Sequence, residues 1–167
     1  LNKKVAISDD RIYRNDGNHH FTDVTQQTGI NSSVLGYGLG ITVSDINLDG
    51  YPDIYIGNDF HENDYLYINQ KNGTFKDELT DRIAHTSKYT MGVDVADANN
   101  DGYDDIISLD MLSPDPDILK RSLGDDNEDE FLLKRALGYN TQYPRNNLQF
   151  NRRNGVFSEI GLYAVIS

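Results

Sequence analysis

The 167-residue chain has no cysteine and no tryptophan, and only four prolines and two methionines. The missing cysteine excludes disulfides, a thiolate zinc site and a cysteine nucleophile. It leaves the compartment open, because an exported protein need not be cross-linked. No apolar stretch approaches transmembrane length, and Leu1-Asn2-Lys3-Lys4-Val5 does not read as a signal peptide. Either the protein is cytosolic or this chain is a piece whose signal lies upstream. Basic residues are also scarce: 15 Lys and Arg face 27 Asp and Glu, for a formal charge of -12. That balance argues against nucleic-acid binding, which needs a basic footprint. Nucleophile-elbow, phosphate-loop and dinucleotide fingerprints are absent too.

What the chain does have is one acidic stretch, present twice. Asp45-Ile46-Asn47-Leu48-Asp49-Gly50-Tyr51-Pro52-Asp53 recurs as Asp97-Ala98-Asn99-Asn100-Asp101-Gly102-Tyr103-Asp104-Asp105. Oxygen-bearing side chains fall at positions 1, 3, 5 and 9 of each copy, with glycine at position 6. A hard cation such as Ca2+ takes six to eight oxygen ligands, and glycine permits the turn that lets alternate side chains converge. Position 7, Tyr51 or Tyr103, then offers its backbone carbonyl. Two Ca2+ sites are expected, one on Asp45, Asn47, Asp49, Tyr51 and Asp53, the other on Asp97, Asn99, Asp101, Tyr103 and Asp105. An ordinary Asx-rich turn explains one copy equally well; the duplication favours metal. The helix-loop-helix calcium hand is excluded, because position 12 is Ile56 or Ser108 where that motif needs Glu. The flanks, Gly40-Ile41-Thr42-Val43-Ser44 and Asp53-Ile54-Tyr55-Ile56-Gly57, alternate or branch as strands do, as do their counterparts in the second copy.

A second block alternates with the first. Asn15, Asn69 and Asn151 are each followed by a glycine and then, six residues on, by Phe21, Phe75 and Phe157. Each reads as strand, polar turn and strand. The loops recur after 52 residues and the first two hairpins after 54, whereas the third hairpin comes 82 after the second. A period of about fifty residues carrying four strands is that of a β-propeller blade, and the excess places an insertion of about thirty residues in the last unit.

The expected fold is therefore all-β: four-stranded antiparallel blades with a short helical insertion, about two and a half blades of an incomplete propeller. Residues 1–30 form the second half of a preceding blade, 31–85 a blade with the loop at 45–53, and 86–167 a blade with the loop at 97–105. The helical insertion spans 112–146. Within it Asp115 with Pro116 starts one helix and Gly124 ends it, while Asn127 to Glu130 resembles a capping box ahead of a helix closed by Gly138. The acidic run 125–130 is helix-start chemistry and not a third metal site.

The motif Gly-x-x-x-x-Asp-x-Asn-x-Asp-Gly-x-x-Asp at 40–53 and 92–105, with the hairpins at 15, 69 and 151, resembles the FG-GAP/VCBS repeat. That repeat forms the calcium-loop blades of integrin alpha-subunits and of many exported bacterial proteins. The stretch 143–164 is similar to the bacterial relatives of cartilage acidic protein. The Gly-Ala-Pro of the integrin version is replaced by Gly57-Asn58-Asp59 and Leu109-Asp110-Met111, which points away from integrins. The resemblance implies Ca2+ ligation by the residues named above and a place outside the cell or on its surface.

Other constellations carry less. His61-Glu62-Asn63-Asp64-Tyr65 lacks the second His of a zinc-protease helix, and His19-His20 sits in a hairpin turn. Tyr37, Tyr51, Tyr55, Tyr65, Tyr67 and Tyr103 are read as blade-packing aromatics before a carbohydrate-binding face. Two functions stay open. One is a non-catalytic, calcium-stabilised module of a secreted or cell-surface protein that recognises a protein or glycan. The other is a piece of a propeller-fold, lyase-like polysaccharide-processing enzyme; no cluster of His, Arg, Lys or Tyr that would mark it can be assembled from the sequence. Open blade faces lead one to expect self-association.

Overall fold

A computed structural model describes residues 10–31, 33, 35–111, 115–119 and 127–166. In chain order the elements are β1 (Tyr13–Gly17), β2 (His20–Asp23), α1 (Thr25–Thr28), β3 (Gly38–Ser44), β4 (Asp53–Asn58), β5 (Tyr65–Asn69), β6 (Phe75–Asp77), α2 (Leu79–Arg82), β7 (His85–Ser87), β8 (Thr90–Ala96), β9 (Asp105–Asp110), α3 (Pro116–Leu119), α4 (Glu128–Ala136), β10 (Thr141–Tyr143), β11 (Asn147–Asn151) and β12 (Phe157–Glu159).

Two four-stranded antiparallel sheets result, β3-β4-β5-β6 and β8-β9-β11-β12, with β1-β2 as a separate hairpin. The chain is all-β in blade-like units, with few helices. Both sheets open with the same irregularity: the register shifts between Gly38 and Gly40 in the first and between Thr90 and Gly92 in the second. The acidic loops are the β3-β4 and β8-β9 connections, and the recurring Asn-to-Phe blocks are the β1-β2, β5-β6 and β11-β12 hairpins.

The insertion is helical in part: beside α3 and α4 it yields β10, which pairs parallel with β7, Thr141 opposite His85. A three-residue strand with a distant parallel partner leaves no period for sequence reading to find. Asn127 does cap α4, its side chain accepting the Glu130 N–H at 2.9 Å, and Gly138 follows in the left-handed region at φ 88°. Phe131, Leu132 and Leu133 are exposed on α4, which buries no residue. Gly124 and residues 125–126, assigned above to helix ends, lie outside the described residues, as do 1–9 of the first unit and 112–114 of the insertion.

One core serves both blades. Ile46, Tyr55, Leu66, Ile68, Leu79 and Ile83 of the first pack with Ile106 and Phe157 of the second, and Val93 and Val95 close over them. The blades meet through glycine. A Cβ on Gly57 would stand 2.2 Å from Thr90 Cγ2, and one on Gly40 would stand 2.8 Å from the Val93 nitrogen. Any side chain at Gly57 would push the second blade away. Polar bonds fasten the same junction: Ser44 donates to Asp104, Thr90 to Asp64 at 3.3 Å, and Arg82 to the Gly155 carbonyl at 2.9 Å. A smaller cluster of Ile56, Tyr65 and Tyr67 holds the approach to the first blade; Tyr67 Oη accepts the Asn31 N–H at 3.0 Å. Tyr55, Tyr65 and Tyr67 are thus packing residues, whereas Tyr37 and Tyr51 stay exposed.

Candidate metal centre

Each acidic loop is a tight turn in which two residues adopt left-handed backbone. Leu48 and Asn100, at position 4, have φ of 58° and 57°, and Gly50 and Gly102, at position 6, have 88° and 86°. The curl aims successive N–H groups inward, and the acidic side chains accept them. Asp45 takes the Asp49 N–H on Oδ1 and the Gly50 N–H on Oδ2, both at 2.8 Å. Asn47 Oδ1 accepts the Asp49 N–H at 3.0 Å, and Asp49 Oδ1 the Tyr51 N–H at 3.1 Å. The second loop repeats every bond: Asp97 with the N–H groups of Asp101 and Gly102, Asn99 with Asp101, and Asp101 with Tyr103, at 2.8 to 3.0 Å. Asn47 and Asn99 also donate their side-chain N–H to position 5, each at 3.0 Å.

Position 9 opens the next strand and is buried. Asp53 Oδ1 accepts the Asn69 N–H at 2.8 Å, and Asp105 Oδ1 accepts the Asn151 N–H at 2.8 Å. The recurring hairpin asparagines therefore clasp the loops. Asn69 also donates to the Pro52 carbonyl and Asn151 to the Asp104 carbonyl. Burial pushes the Asp53 carboxyl up, a tendency that the Asp49 and Asp45 charges reinforce and the Asn69 N–H opposes. Asp105 is raised for the same reason, with Asp101 and Asp97 as the neighbouring charges. Asp53 Oδ2 is buried with no well-formed hydrogen bond among the described residues, the Asn47 N–H being a nearby backbone donor, a cost of about 1–3 kcal/mol or more for a charged group unless a cation meets it. Among the described residues, Asp105 Oδ2 accepts the Ala98 N–H at 3.3 Å.

Two residues that sequence reasoning missed complete the site. Lys71 Nζ lies 3.4 Å from Asp49 Oδ2 and over the Tyr51 ring at 5.5 Å. Arg153 donates through Nε and an Nη to Asp101 Oδ2 at 3.1 and 3.0 Å and lies over the Tyr103 ring at 5.8 Å. For Asp49 the modest burial would raise the carboxyl, but hydrogen bonds from Asn47, Lys71 and the Tyr51 N–H outweigh it and lower the net value. Asp101 is lowered likewise, by Asn99, Arg153 and the Tyr103 N–H. The signal was in the chain: a basic residue stands two places after the hairpin asparagine in both copies.

Among the described residues, no three His, Asp or Glu side chains converge into a ready-made cage. Each loop instead turns its carboxylates at positions 1 and 5 onto its own backbone. Every oxygen that accepts one N–H keeps a second lone pair, and the donors are all oxygen, a set that suits a hard divalent cation and not zinc or copper. Asp104 lies outside the set, engaged with Ser44 of the first blade.

Tandem antiparallel blades, each led by an acidic Asx-rich loop, define a repeat of the propeller class. A family model described as FG-GAP-like repeat matches residues 5–56 and 45–108, well over half of the chain. The chain belongs to the FG-GAP-like repeat family. No curated protein matches it.

Proposed function

We propose that the chain is a calcium-binding, non-catalytic propeller module of a secreted or cell-surface protein, used for recognition or adhesion toward a protein or glycan. The carrying observation is the pair of loops with matching hydrogen bonds and oxygen-only ligand atoms, one of them with the buried Asp53 Oδ2, which has no well-formed hydrogen bond among the described residues. Asp45, Asn47, Asp49 and Asp53, with the Tyr51 carbonyl, would hold one Ca2+; Asp97, Asn99, Asp101 and Asp105, with the Tyr103 carbonyl, would hold the other. The ion supplies the positive charge that three neighbouring carboxylates need to share one turn. Among the described residues no helix is long and apolar enough to cross a membrane. The exposed strand face of Leu39, Ile41 and Val43 supports self-association in the isolated chain. Glycan and protein arrays with calcium and with chelator test the recognition role. Retention that depends on calcium, without cleavage products, is expected; cleavage of a retained glycan would overturn the non-catalytic reading.

The enzyme alternative has one observation in its favour, a cluster of the kind that could not be assembled from the sequence alone. His85 Nε2 lies 3.1 Å from Glu159 Oε2 and 3.2 Å from an Nη of Arg145, and Tyr143 packs edge-on to the His85 ring. Arg145 also pairs with the buried Glu159 carboxylate at 2.7 Å. These residues come from β7, β10, the turn that follows it and β12, which is why no local motif announces them. The Arg145–Glu159 pair is internally neutralised, which suits a structural clasp better than proton transfer.

A further inference from the structure

We propose that Lys71 and Arg153 are built-in counter-ions of the two loops: each neutralises the position-5 carboxylate from the following hairpin and lowers that loop's affinity for Ca2+. The inference rests on the reading of the loops as calcium sites and adds to it what sets their affinity.

The case is the duplication of an entire arrangement. Both residues follow a hairpin asparagine by two places, both have left-handed backbone (φ 62° and 61°), and both donate their N–H to that asparagine's Oδ1 at 2.9 Å. Both then cross to the preceding strand connection, pass over the position-7 tyrosine ring, and end on the same Oδ2 atom of position 5. A chance surface ion pair has no reason to reproduce its backbone conformation, its aromatic neighbour and its target atom across 52 residues of sequence separation, the spacing of Asp49 from Asp101. The shared feature is the positive charge, since one residue is Lys and the other Arg.

A positive charge on a ligand carboxylate acts in two directions. Without a bound cation it relieves repulsion among the three carboxylates of the loop. When Ca2+ arrives, it must repel the ion or give up its partner. In water-like surroundings a unit charge about 6 Å from a divalent ion opposes binding by about tenfold before salt screening. The two loops should differ in degree. Arg153 brings two nitrogens to the oxygen at 3.0 and 3.1 Å, while Lys71 brings one at 3.4 Å. A guanidinium also holds a carboxylate in a fixed fork, which an ammonium does not. The loop at 45–53 should therefore fill first and the loop at 97–105 second.

Calorimetric titration of the full chain with CaCl2 tests this. Lys71→Met is measured with the second loop disabled by Asp97→Ala, and Arg153→Met with the first disabled by Asp45→Ala. Methionine keeps an apolar stem over the tyrosine while removing the charge. Each Met variant should bind Ca2+ about three- to tenfold more tightly than its parent, with the larger gain for Arg153→Met, and the gain should shrink as salt rises. In chelator both variants should melt below their parents, the opposite direction to the affinity change. Lys71→Arg should stay within about twofold, since the charge is kept. Binding by the parents with equal or weaker binding by the Met variants overturns the counter-ion role and leaves the calcium sites standing. Parents that take up no Ca2+ overturn both.

Discussion

The first blade receives its neighbour on glycine; the second presents leucine at the same place. Gly40 pairs with Gly57 across β3 and β4, and the equivalent pair across β8 and β9 is Gly92 with Leu109. Gly57 lies against Thr90 and Val93 of the second blade, whereas Gly92 has nothing within 4 Å of where its Cβ would be and Leu109 is 49% exposed. Two sheets with one repeated pattern thus have unlike outer faces. The first is cut for close stacking. The second presents the exposed Leu109 where the first has Gly57, so its outer face is shaped differently.

A matching contrast lies where β4 and β9 end. The Asn58 N–H donates to Asp64 Oδ1 at 2.8 Å, and the Asp110 N–H donates to Asn146 Oδ1 at 2.7 Å. The same bond is made with acid and amide exchanged. In the first blade the acid is fully buried and also accepts the Tyr55 hydroxyl at 2.7 Å. Burial pushes the Asp64 carboxyl up to about 7, against the hydrogen bonds from Tyr55, Asn58 and Thr90 that favour its charge.

The glycine contrast gives the largest expected effect. Gly57→Ala should cost about 3 kcal/mol, the upper range for overpacking where backbone must shift, while Gly92→Ala should fall within about 0.5 kcal/mol of wild type. Urea midpoints at constant m value measure both. Equal losses would mean that the blades do not stack through Gly57.

The acid–amide contrast comes next. The folded pKa of Asp64 is raised above its unfolded value, so the fold holds this proton more tightly. That contribution is fully present below about pH 4 and is lost as pH rises through about 7, at up to about 1.4 kcal/mol per pH unit. Asp64→Asn copies the second blade's solution and should flatten stability between pH 4 and 7. An unchanged slope in urea melts across that window would place the titration elsewhere.

The sequence revealed what is local. Alternating strands, the two acidic loops and the three hairpins carry their period or their turn residues within about ten positions. The Asn127 cap is equally local. What escaped depends on the meander returning: Asn69 clasping Asp53, Lys71 reaching Asp49, and His85, Tyr143, Arg145 and Glu159 gathering from distant segments. Charge alone did not mark Lys71 or Arg153, since exposed basic residues usually face solvent. Phe131, Leu132 and Leu133 of α4 form no part of the core and stay exposed.

The smallest expected effect concerns position 4 of the loops. Leu48 bears a left-handed backbone that its branched side chain disfavours, and Asn100 occupies the same conformation at less cost. Leu48 is half exposed, so Leu48→Asn should stabilise by about 0.5–1 kcal/mol. Asn100→Leu should lose a similar amount. Thermal melts of the pair, which should move in opposite directions, check this.

The central claim is that both loops hold Ca2+ and that the ion stabilises the blades. With dissociation constants of about 0.1 to 1 mM, calcium at ten times that level adds about 1.4 kcal/mol per site. Two filled sites in a domain of this size should raise the melting temperature by about 5–10 °C. Melting the chain in calcium and in chelator, beside an Asp45→Ala/Asp97→Ala variant, measures it directly. A calcium-dependent rise in the wild type that vanishes in the double variant is the predicted result. A wild-type midpoint indifferent to calcium would contradict the account.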